Sequence, residues 1–501
     1  MLFILVLILF SLIIFNFQKY WIRFKLAFKI PGPWFIPFIG CVQIAAKLKP
    51  EEITGVVQNL REKYKRTFRL FLGPNLWVFL HTPQEIKEAL NNLTLRRAAD
   101  FQQLKPILGE GLLLSEEKKW ITRRRALTPA FHAKLLQDFT GRIIFHADVL
   151  IKNLERTCGK PIEISDMIFH CILDTICETS MGAEINSQSD SNCPYAKAYH
   201  QAFHILFQRM VNPLLGFDFI FNRLEASKQL SNSIKIIHDM TGKLIKERRE
   251  LITQQYNANN ENELNEILKD EIGKQKKMAM LDILLNINID GKYLSDQDIK
   301  DEVNTFLFAG VDTTKAAMCF ALYNLAKYPI IQKKIYNEIS LIKSTLNEST
   351  ITMEQIKSLN ILDQFLKESL RLHTIVPMTG RKTTCEIKIG DIIYPKNISI
   401  WINMYGLAHD ENFFSNPYEF DLERFSKDSE IINQYTYLPF SAGPHNCIGK
   451  RYSELIMKII LIQIIENFKL SLRNPNEKLE LISEMVLSAR QGFNLVFKKR
   501  K

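Results

Sequence analysis

The chain reads as one large, mainly α-helical domain with a minor β portion, carried behind an N-terminal membrane anchor. Three observations lead there. Residues 2–15 carry no charge. From Pro83 onward the apolar residues recur mostly at helical spacing. Strand-like runs are confined mainly to 67–80 and 386–402. A length of 501 residues allows about three domains by size alone, yet no Pro-, Gly- or Ser-rich linker divides the chain after residue 40. The expected boundaries are 1–22 for the anchor, 23–40 for a basic and proline-rich hinge, and 41–501 for the globular domain.

The uncharged run, extended through Phe17 and Tyr20-Trp21-Ile22, gives about 20 residues, enough to span a bilayer at ~1.5 Å per residue. Lys19, Arg23, Lys25 and Lys29 follow it and no basic residue precedes it, which places the rest of the chain in the cytosol. A cleaved signal peptide would want a charged start and small residues at a cleavage site, and a mitochondrial presequence would be amphipathic and rich in Arg and Ser. Neither pattern is present. Pro31, Pro33 and Pro37 stiffen the stem that follows.

Two apolar runs, 67–72 and 76–80, flank Gly73-Pro74-Asn75 and predict a β-hairpin. Residues 254–279 are polar and predict a solvated connection. Ser295-Asp296-Gln297-Asp298 is a capping-box start for a long helix that passes through Ala309-Gly310 and ends at Lys327-Tyr328, before Pro329. Residues 386–402, with Gly390-Asp391 as a turn, predict a small sheet.

Hydrophobic residues at 46% with 33 phenylalanines supply a sizeable core and an apolar pocket. The 8 cysteines include no C-x-x-C pair, which argues against a zinc site or disulfide framework and for a reducing compartment. The net charge of +11 is too dispersed for a nucleic-acid surface. It suits an acidic protein partner or anionic lipid.

The stretch Phe440-Ser441-Ala442-Gly443-Pro444-His445-Asn446-Cys447-Ile448-Gly449 carries the most information. Taken alone, Cys447 would pass for a buried structural thiol. Here it sits in a glycine-punctuated loop opening a helix. Gly443 permits a tight turn, and Gly449 permits close passage beneath a flat macrocycle. Backbone N–H groups and the helix N-terminus are expected to hold the sulfur ionised.

With this loop the chain resembles the cytochrome P-450 family of haem-thiolate monooxygenases, the standing example of cysteine-ligated haem. The resemblance runs from the anchor to the final strands and implies the cytochrome P-450 fold, with haem b held by Cys447. Ala309-Gly310-Val311-Asp312-Thr313-Thr314 is similar to the motif crossing the distal haem face. It implies that Gly310 leaves room for dioxygen, that Thr313 hydrogen-bonds it while breaking the local helix ladder, and that Asp312 relays protons to Thr313. Trp120, Arg124, Arg381 and His445 match propionate donors, and Phe440, Gly443 and Gly449 shape the cysteine loop. Because imidazole suits a carboxylate less well than guanidinium, His445 implies weaker haem retention at high pH. Glu368 and Arg371, sharing a helix face, would meet Arg424 in a structural triad, with Leu422 standing where the family usually has proline.

Further implications concern partners and substrate. Lys118, Lys119, Arg123, Arg125, Lys450 and Arg451 would form a basic dock for an acidic flavoprotein, NADPH–cytochrome P-450 reductase, with cytochrome b5 as a second donor. Phe101, Leu104, Leu112, Phe306, Val376, Met378 and Val486 would line an apolar cavity for a fatty acid, terpenoid or xenobiotic. Gly111-Leu112-Leu113-Leu114 and Leu127-Thr128-Pro129-Ala130-Phe131-His132 look most like the microsomal family-four branch, which implies an endoplasmic-reticulum location. Many members of that branch carry a haem-esterified glutamate at the position of Ala309, so alanine implies non-covalent haem. The other activities to weigh are a haem-thiolate isomerase or dehydratase acting on peroxides, and a non-catalytic haem or ligand-binding protein. The intact Asp312-Thr313 pair speaks for the monooxygenase.

Overall fold

In the computed structural model, residues 20–500 are described apart from 38, 42–43, 45–48, 74, 191, 213, 259–278, 290, 345–350, 427–432 and 477. Most of the expected anchor, residues 1–19, therefore lies outside the described residues. Residues 20–29 are helical, so the helix runs well into the segment expected as a hinge and stops just before Pro31.

The helices that position the site are α1 (Pro83–Asn91), α2 (Glu117–Leu127), α3 (Ala133–Glu155), α4 (Ser165–Ile176), α5 (Pro194–Val211), α6 (Glu225–Ala258), α7 (Asp296–Lys327), α8 (Asn360–Leu372) and α9 (Lys450–Asn467). Helix α6 carries the chain through 254–258, which the polar composition had marked as connection. The remainder of that segment, up to 278, is outside the described residues. Helix α7 starts where its cap predicts: the Ser295 hydroxyl accepts from the Asp298 N–H at 3.1 Å. Its 32 residues pack against α4, α6, α8 and α9, and Leu307, Val311, Met318, Phe320 and Leu325 are fully buried. It is the one candidate membrane span by length and hydropathy among the described residues, and its burial marks it as a core helix.

The expected hairpin forms from β1 (Phe68–Leu72) and β2 (Asn75–Leu80), which pair antiparallel. They join β3 (Arg96–Arg97), β5 (Met378–Lys382) and β8 (Ser399–Asn403) in a sheet ordered β1-β2-β8-β5-β3; the three-residue β4 (Pro161–Glu163) belongs elsewhere. The 386–402 segment divides. Strands β6 (Ile387–Ile389) and β7 (Ile392–Tyr394) form the small hairpin around Gly390, whereas β8 leaves it to pair with β2 and β5. The reason is burial: Ile400 and Ile402 are 0% exposed and complete the core of the larger sheet. Near the C-terminus, β9 (Phe468–Leu472), β12 (Asn494–Lys499) and β4 form a second sheet, and β10 (Leu481–Ser483) pairs with β11 (Leu487–Ala489).

Two hydrophobic cores result, one among the helices around α7 and α9 and one behind the five-stranded sheet. Phe101 and Met485 touch both and mark the seam between them. The cysteine loop crosses that seam, with Phe440 and Ile448 packed on the helical core and Ala442 on the sheet core.

One polar cluster is locked into the interior nearby. Glu368 and Arg371 are each 0% exposed. Arg371 Nε and Nη2 donate to the two Glu368 carboxylate oxygens at 2.7 and 2.8 Å. The remaining guanidinium protons go to the carbonyls of Ala408, Pro417 and Glu419. All five donors of the arginine are thus used. Glu368 also accepts from Arg424 Nε at 3.3 Å and from the Asp421 N–H at 3.0 Å. Leu422 does not loosen this segment, because the Asp421 side chain caps the short turn Leu422–Phe425.

Replacing Arg371 by lysine removes donors that a point-charge ammonium cannot supply, and leaves Glu368 buried and under-paired. The expected loss is about 3–5 kcal/mol, read as a lower midpoint in chemical denaturation. Acid should destabilise the fold through its buried histidines. Burial, then neighbouring His409, Lys327 and Arg371, push His373 down to about 3, and burial pushes His409 down to about 4. Unfolded histidine binds its proton near pH ~6.5 and the folded residues do not. Stability should therefore fall by about 1.4 kcal/mol per pH unit for each histidine as pH drops from ~6.5 towards ~4. His373→Gln should flatten that slope in stability measured against pH.

Candidate functional site

The site forms where the loop before α9, the start of α2, the edge of the five-stranded sheet and the middle of α7 converge. The loop is built by backbone constraint. Gly443 has φ +72°, and a Cβ there would stand 2.3 Å from the Leu90 carbonyl oxygen at the end of α1. Glycine is therefore required twice over, by conformation and by contact. Ser441 N–H donates to Leu438 O, Asn446 N–H to Gly443 O, and Cys447 N–H to Phe440 O at 2.9 Å. These bonds close the loop beneath Cys447. Gly449 differs: a Cβ there would meet only Phe131, at 4.0 Å. No neighbour in the chain demands glycine at that position.

Arg124 ties α2 to this loop, donating to the Asn446 carbonyl at 3.0 Å and to its side-chain Oδ1 at 2.7 Å. Trp120 lies one turn earlier and packs its ring on His445, with centroids 3.7 Å apart. Strand pairing sets Arg97 of β3 opposite Arg381 of β5. Arg97 is the site residue that sequence reading missed. Its signal was the Arg96-Arg97 pair, which acquires meaning only from that strand register.

The charges here are of one sign. Burial, then Arg97, push Arg381 down to about 9. Burial also pushes Arg97 down to about 10. His445 is pushed down to about 3 by burial and then by Arg381, Arg97 and Arg124. No salt bridge joins Arg97, Arg124 or Arg381 to a carboxylate among the described residues, and Arg381 Nη2 is buried with no hydrogen-bond partner. Burial first, and then these cationic neighbours, favour the neutral His445 imidazole in the haem-free chain. Its contributions are ring packing and an N–H.

Cys447 also departs from expectation. Burial raises its pKa, and the opposing Gly449 N–H, Arg124 and Lys450 do not overcome it. The loop alone does not ionise the thiol; a metal ion displaces such a proton outright. Cys447 is nonetheless an exposed residue, although protein surrounds its thiol closely. Ala309 is likewise accessible while Leu307 and Val311 on the same helix are buried. Phe131 links the two sides, lying against Gly449 and 5.7 Å from the ring of Phe306 on α7.

On α7, Thr313 Oγ donates to the Ala309 carbonyl at 2.6 Å, and the helix continues unbroken through it. The expected interruption of the ladder is absent because the hydroxyl adds to the i−4 carbonyl without displacing it. At Gly310 the missing Cβ serves packing: a methyl there would stand 2.8 Å from Ile176 of α4. Glycine eases the approach of the two helices here, where the Ile176 Cδ1 methyl would otherwise have to move. Asp312 faces Lys315, 3.5 Å away, on a different side of the helix from Thr313.

The expected basic dock is smaller than the sequence implied. Arg123 is 4% exposed and pairs with Glu302 and Asp298, each at 2.7 Å. Lys119 pairs with Glu110 and Asp298. Both hold α2 against α7. Lys118, Arg125, Lys450 and Arg451 remain exposed.

The segments expected to line a pocket are brought together at the seam. Leu487 N–H donates to the Ile375 carbonyl at 2.8 Å, joining the 485–487 turn to the strand lead-in at 375–379. Phe101 stacks on Trp401 at 6.0 Å. Leu104, Leu112 and Val486 are buried, and Phe101, Phe306, Val376 and Met378 half-buried.

These features fit a haem. A cluster of cations with an orphaned guanidinium suits two propionates. A glycine that no described neighbour requires suits a planar ring, and an exposed cysteine in a closed loop suits an iron ligand.

Comparison with known proteins agrees. The cytochrome P450 family model matches residues 30–497. The chain is similar to cytochrome P450 4d2 of Drosophila melanogaster, at 35% identity over 94% of each chain. It is also similar to cytochrome P450 4d10 of Drosophila mettleri, at 32% identity over 95% of this chain and 92% of the relative. The crystal structure of the cytochrome P450DA heme domain superposes with a TM-score of 0.79 at 22% identity, covering 94% of this chain and 98% of that one. That likeness establishes the fold.

Arg381→Leu separates the two uses of a buried cation. Without a bound anion the substitution relieves a desolvated charge, so the apoprotein should be no less stable. Haem affinity should fall about 10- to 100-fold, the worth of a charge-assisted hydrogen bond. Haem titration of the apoprotein beside its thermal melt checks both signs.

Proposed function

This chain belongs to the cytochrome P450 family of haem-thiolate monooxygenases, whose cofactor is haem b, and on that footing we propose that it oxidises a lipophilic substrate at a site centred on Cys447. The observation that carries the reading is the union of the exposed Cys447 in its glycine-closed loop with a cluster of cations that no carboxylate pairs among the described residues. When bound, the haem supplies reductive activation of dioxygen: two electrons and two protons are taken up, one oxygen atom enters the substrate and the other leaves as water.

The chain's own residues divide the remaining tasks. Cys447 ligates the iron, with the Gly449 N–H and the Arg124 guanidinium facing its sulfur. Arg97, Arg124 and Arg381 take the propionates, with His445 held in place by Trp120. Thr313 presents its hydroxyl oxygen on the Ala309 face of α7, and Asp312 supplies protons to it. Alanine at position 309 offers no carboxylate for an ester bond, so haem is non-covalent. Glu368, Arg371 and Arg424 hold the scaffold under the cysteine loop.

The substrate reading rests on the apolar lining at Phe101, Leu104, Leu112, Phe306, Val376, Met378 and Val486, which favours a fatty acid, terpenoid or similarly apolar xenobiotic. Electrons come from NADPH through NADPH–cytochrome P450 reductase, docking on Lys118, Arg125, Lys450 and Arg451, with cytochrome b5 as a second donor. The uncharged N-terminal run and the basic residues after it support an endoplasmic-reticulum membrane location with the catalytic domain in the cytosol. The intact acid–alcohol pair favours this over a peroxide isomerase or a non-catalytic haem carrier.

The carbon monoxide spectrum of the dithionite-reduced protein tests the centre. Wild type should give the thiolate band, and Cys447→His should move it to the position of imidazole-ligated haem. An unchanged band in the variant would refute Cys447 as the ligand. NADPH oxidation by the reconstituted protein with a fatty acid, against a no-substrate control, then tests the reaction class.

A further inference from the structure

The solvent-side flank of α7 holds a charged group that the reading above does not use. Between Asp312 and Lys327 the helix has a single charged residue, Lys315. Its ammonium lies 3.5 Å from Asp312 Oδ1, and the two side chains are only 16% and 13% exposed. Burial works against its charge, yet Asp312, Cys319 and Glu163 together raise its pKa above the ordinary lysine value. A lysine confined between packed helices is costly unless paired. A methionine of similar length would fill the space at no electrostatic cost, and helix propensity does not distinguish the two.

The surroundings on this side are polar. His200 interacts with both Lys315 and Asp312, and with Asp166 and His170 of α4. Tyr199 of α5 lies near Asp312 and donates its hydroxyl to the Phe308 carbonyl. One turn beyond Lys315, Cys319 reaches Ser165 Oγ at 3.8 Å, and Ser165 Oγ donates to Glu163 at 2.6 Å. Asp166, Glu163 and His200 are exposed, so this crease between α4, α5 and α7 opens to water. Thr313 is one residue from Asp312, and adjacent residues on a helix do not share a face.

Resting on the reading that Asp312 and Thr313 pass protons, we propose that Lys315 is a positioning residue for that relay. It holds the Asp312 carboxylate in the crease between α4, α5 and α7, and joins it to solvent through the polar groups around His200 and Asp166. Asp312 is thereby stationed on the wet flank of α7, and must swing from Lys315 to reach the Thr313 hydroxyl.

The experiment uses full-length holoprotein with NADPH–cytochrome P450 reductase and lauric acid as the lipophilic probe. Wild type, Lys315→Met, Lys315→Arg and Asp312→Asn are compared. Peroxide released per NADPH is scored whether or not lauric acid is itself oxidised, together with the solvent deuterium isotope effect on NADPH oxidation. Infrared spectra of the resting protein supply a readout independent of turnover. In Lys315→Met, peroxide should rise about 3- to 10-fold, part of the range expected for a positioned proton donor, and the isotope effect should grow. Lys315→Arg should restore both. The resting Lys315→Met protein should show a displaced carboxylate stretching band relative to wild type, a difference that Lys315→Met/Asp312→Asn abolishes. A lysine with only a structural role would lower the melting temperature and move none of these. If Asp312→Asn changes peroxide and isotope effect while Lys315→Met leaves both and the infrared spectrum at wild type, the Lys315 role is refuted and the relay stands. If Asp312→Asn also matches wild type, the relay is refuted and the Lys315 role with it.

Discussion

Like charges held close together in a poorly solvated place need an anion, and that need organises this protein's site. Arg97, Arg124 and Arg381 converge with His445 on one cleft, and among the described residues no salt bridge to a carboxylate relieves the arginines. The arrangement persists because rigid elements impose it. The β3–β5 register sets Arg97 beside Arg381, α2 delivers Arg124, and the loop closed by Gly443 delivers His445. On the proposed reading a pair of ring carboxylates would turn this repulsion into attraction.

The same logic governs the sulfur. Burial raises the pKa of the Cys447 thiol, and a bound metal would displace its proton. What the loop contributes is position. Its backbone is closed by its own hydrogen bonds and pinned to α1 by a glycine that no other residue can replace. Behind it the Glu368–Arg371–Arg424 cluster uses every guanidinium donor of Arg371, so the wall of the cleft cannot shift without leaving a buried charge unpaired.

Helix α7 shows how one element serves two environments. Its Ala309 is exposed and linked to Thr313 through the hydroxyl, its Gly310 lies close to Ile176 of α4, and its Asp312–Lys315 pair lies between α4, α5 and α7. Near its start, Asp298 and Glu302 hold Arg123 and fix α2. A helix packed against α4, α6, α8 and α9 at once is held rigid.

Much of this was legible in the residues. The ten-residue cysteine loop, the capped start of α7, the Gly73 hairpin and the Glu368-x-x-Arg371 spacing are local patterns whose physics is complete within a few residues. Other properties depend on neighbours distant in sequence. Arg97 entered the site through a strand register, Arg123 left the surface for a buried pair, and Gly310 turned out to face Ile176. The proton affinities of His445 and Cys447 were set by surrounding charge and burial that spacing does not encode. Local sequence determined the chemical identities and the helix and turn signals, because those arise from short-range backbone geometry. Tertiary structure alone decided which charges are paired, which face of α7 each side chain occupies, and which groups remain neutral, because desolvation and Coulomb energy depend on distances between segments that the chain order leaves open.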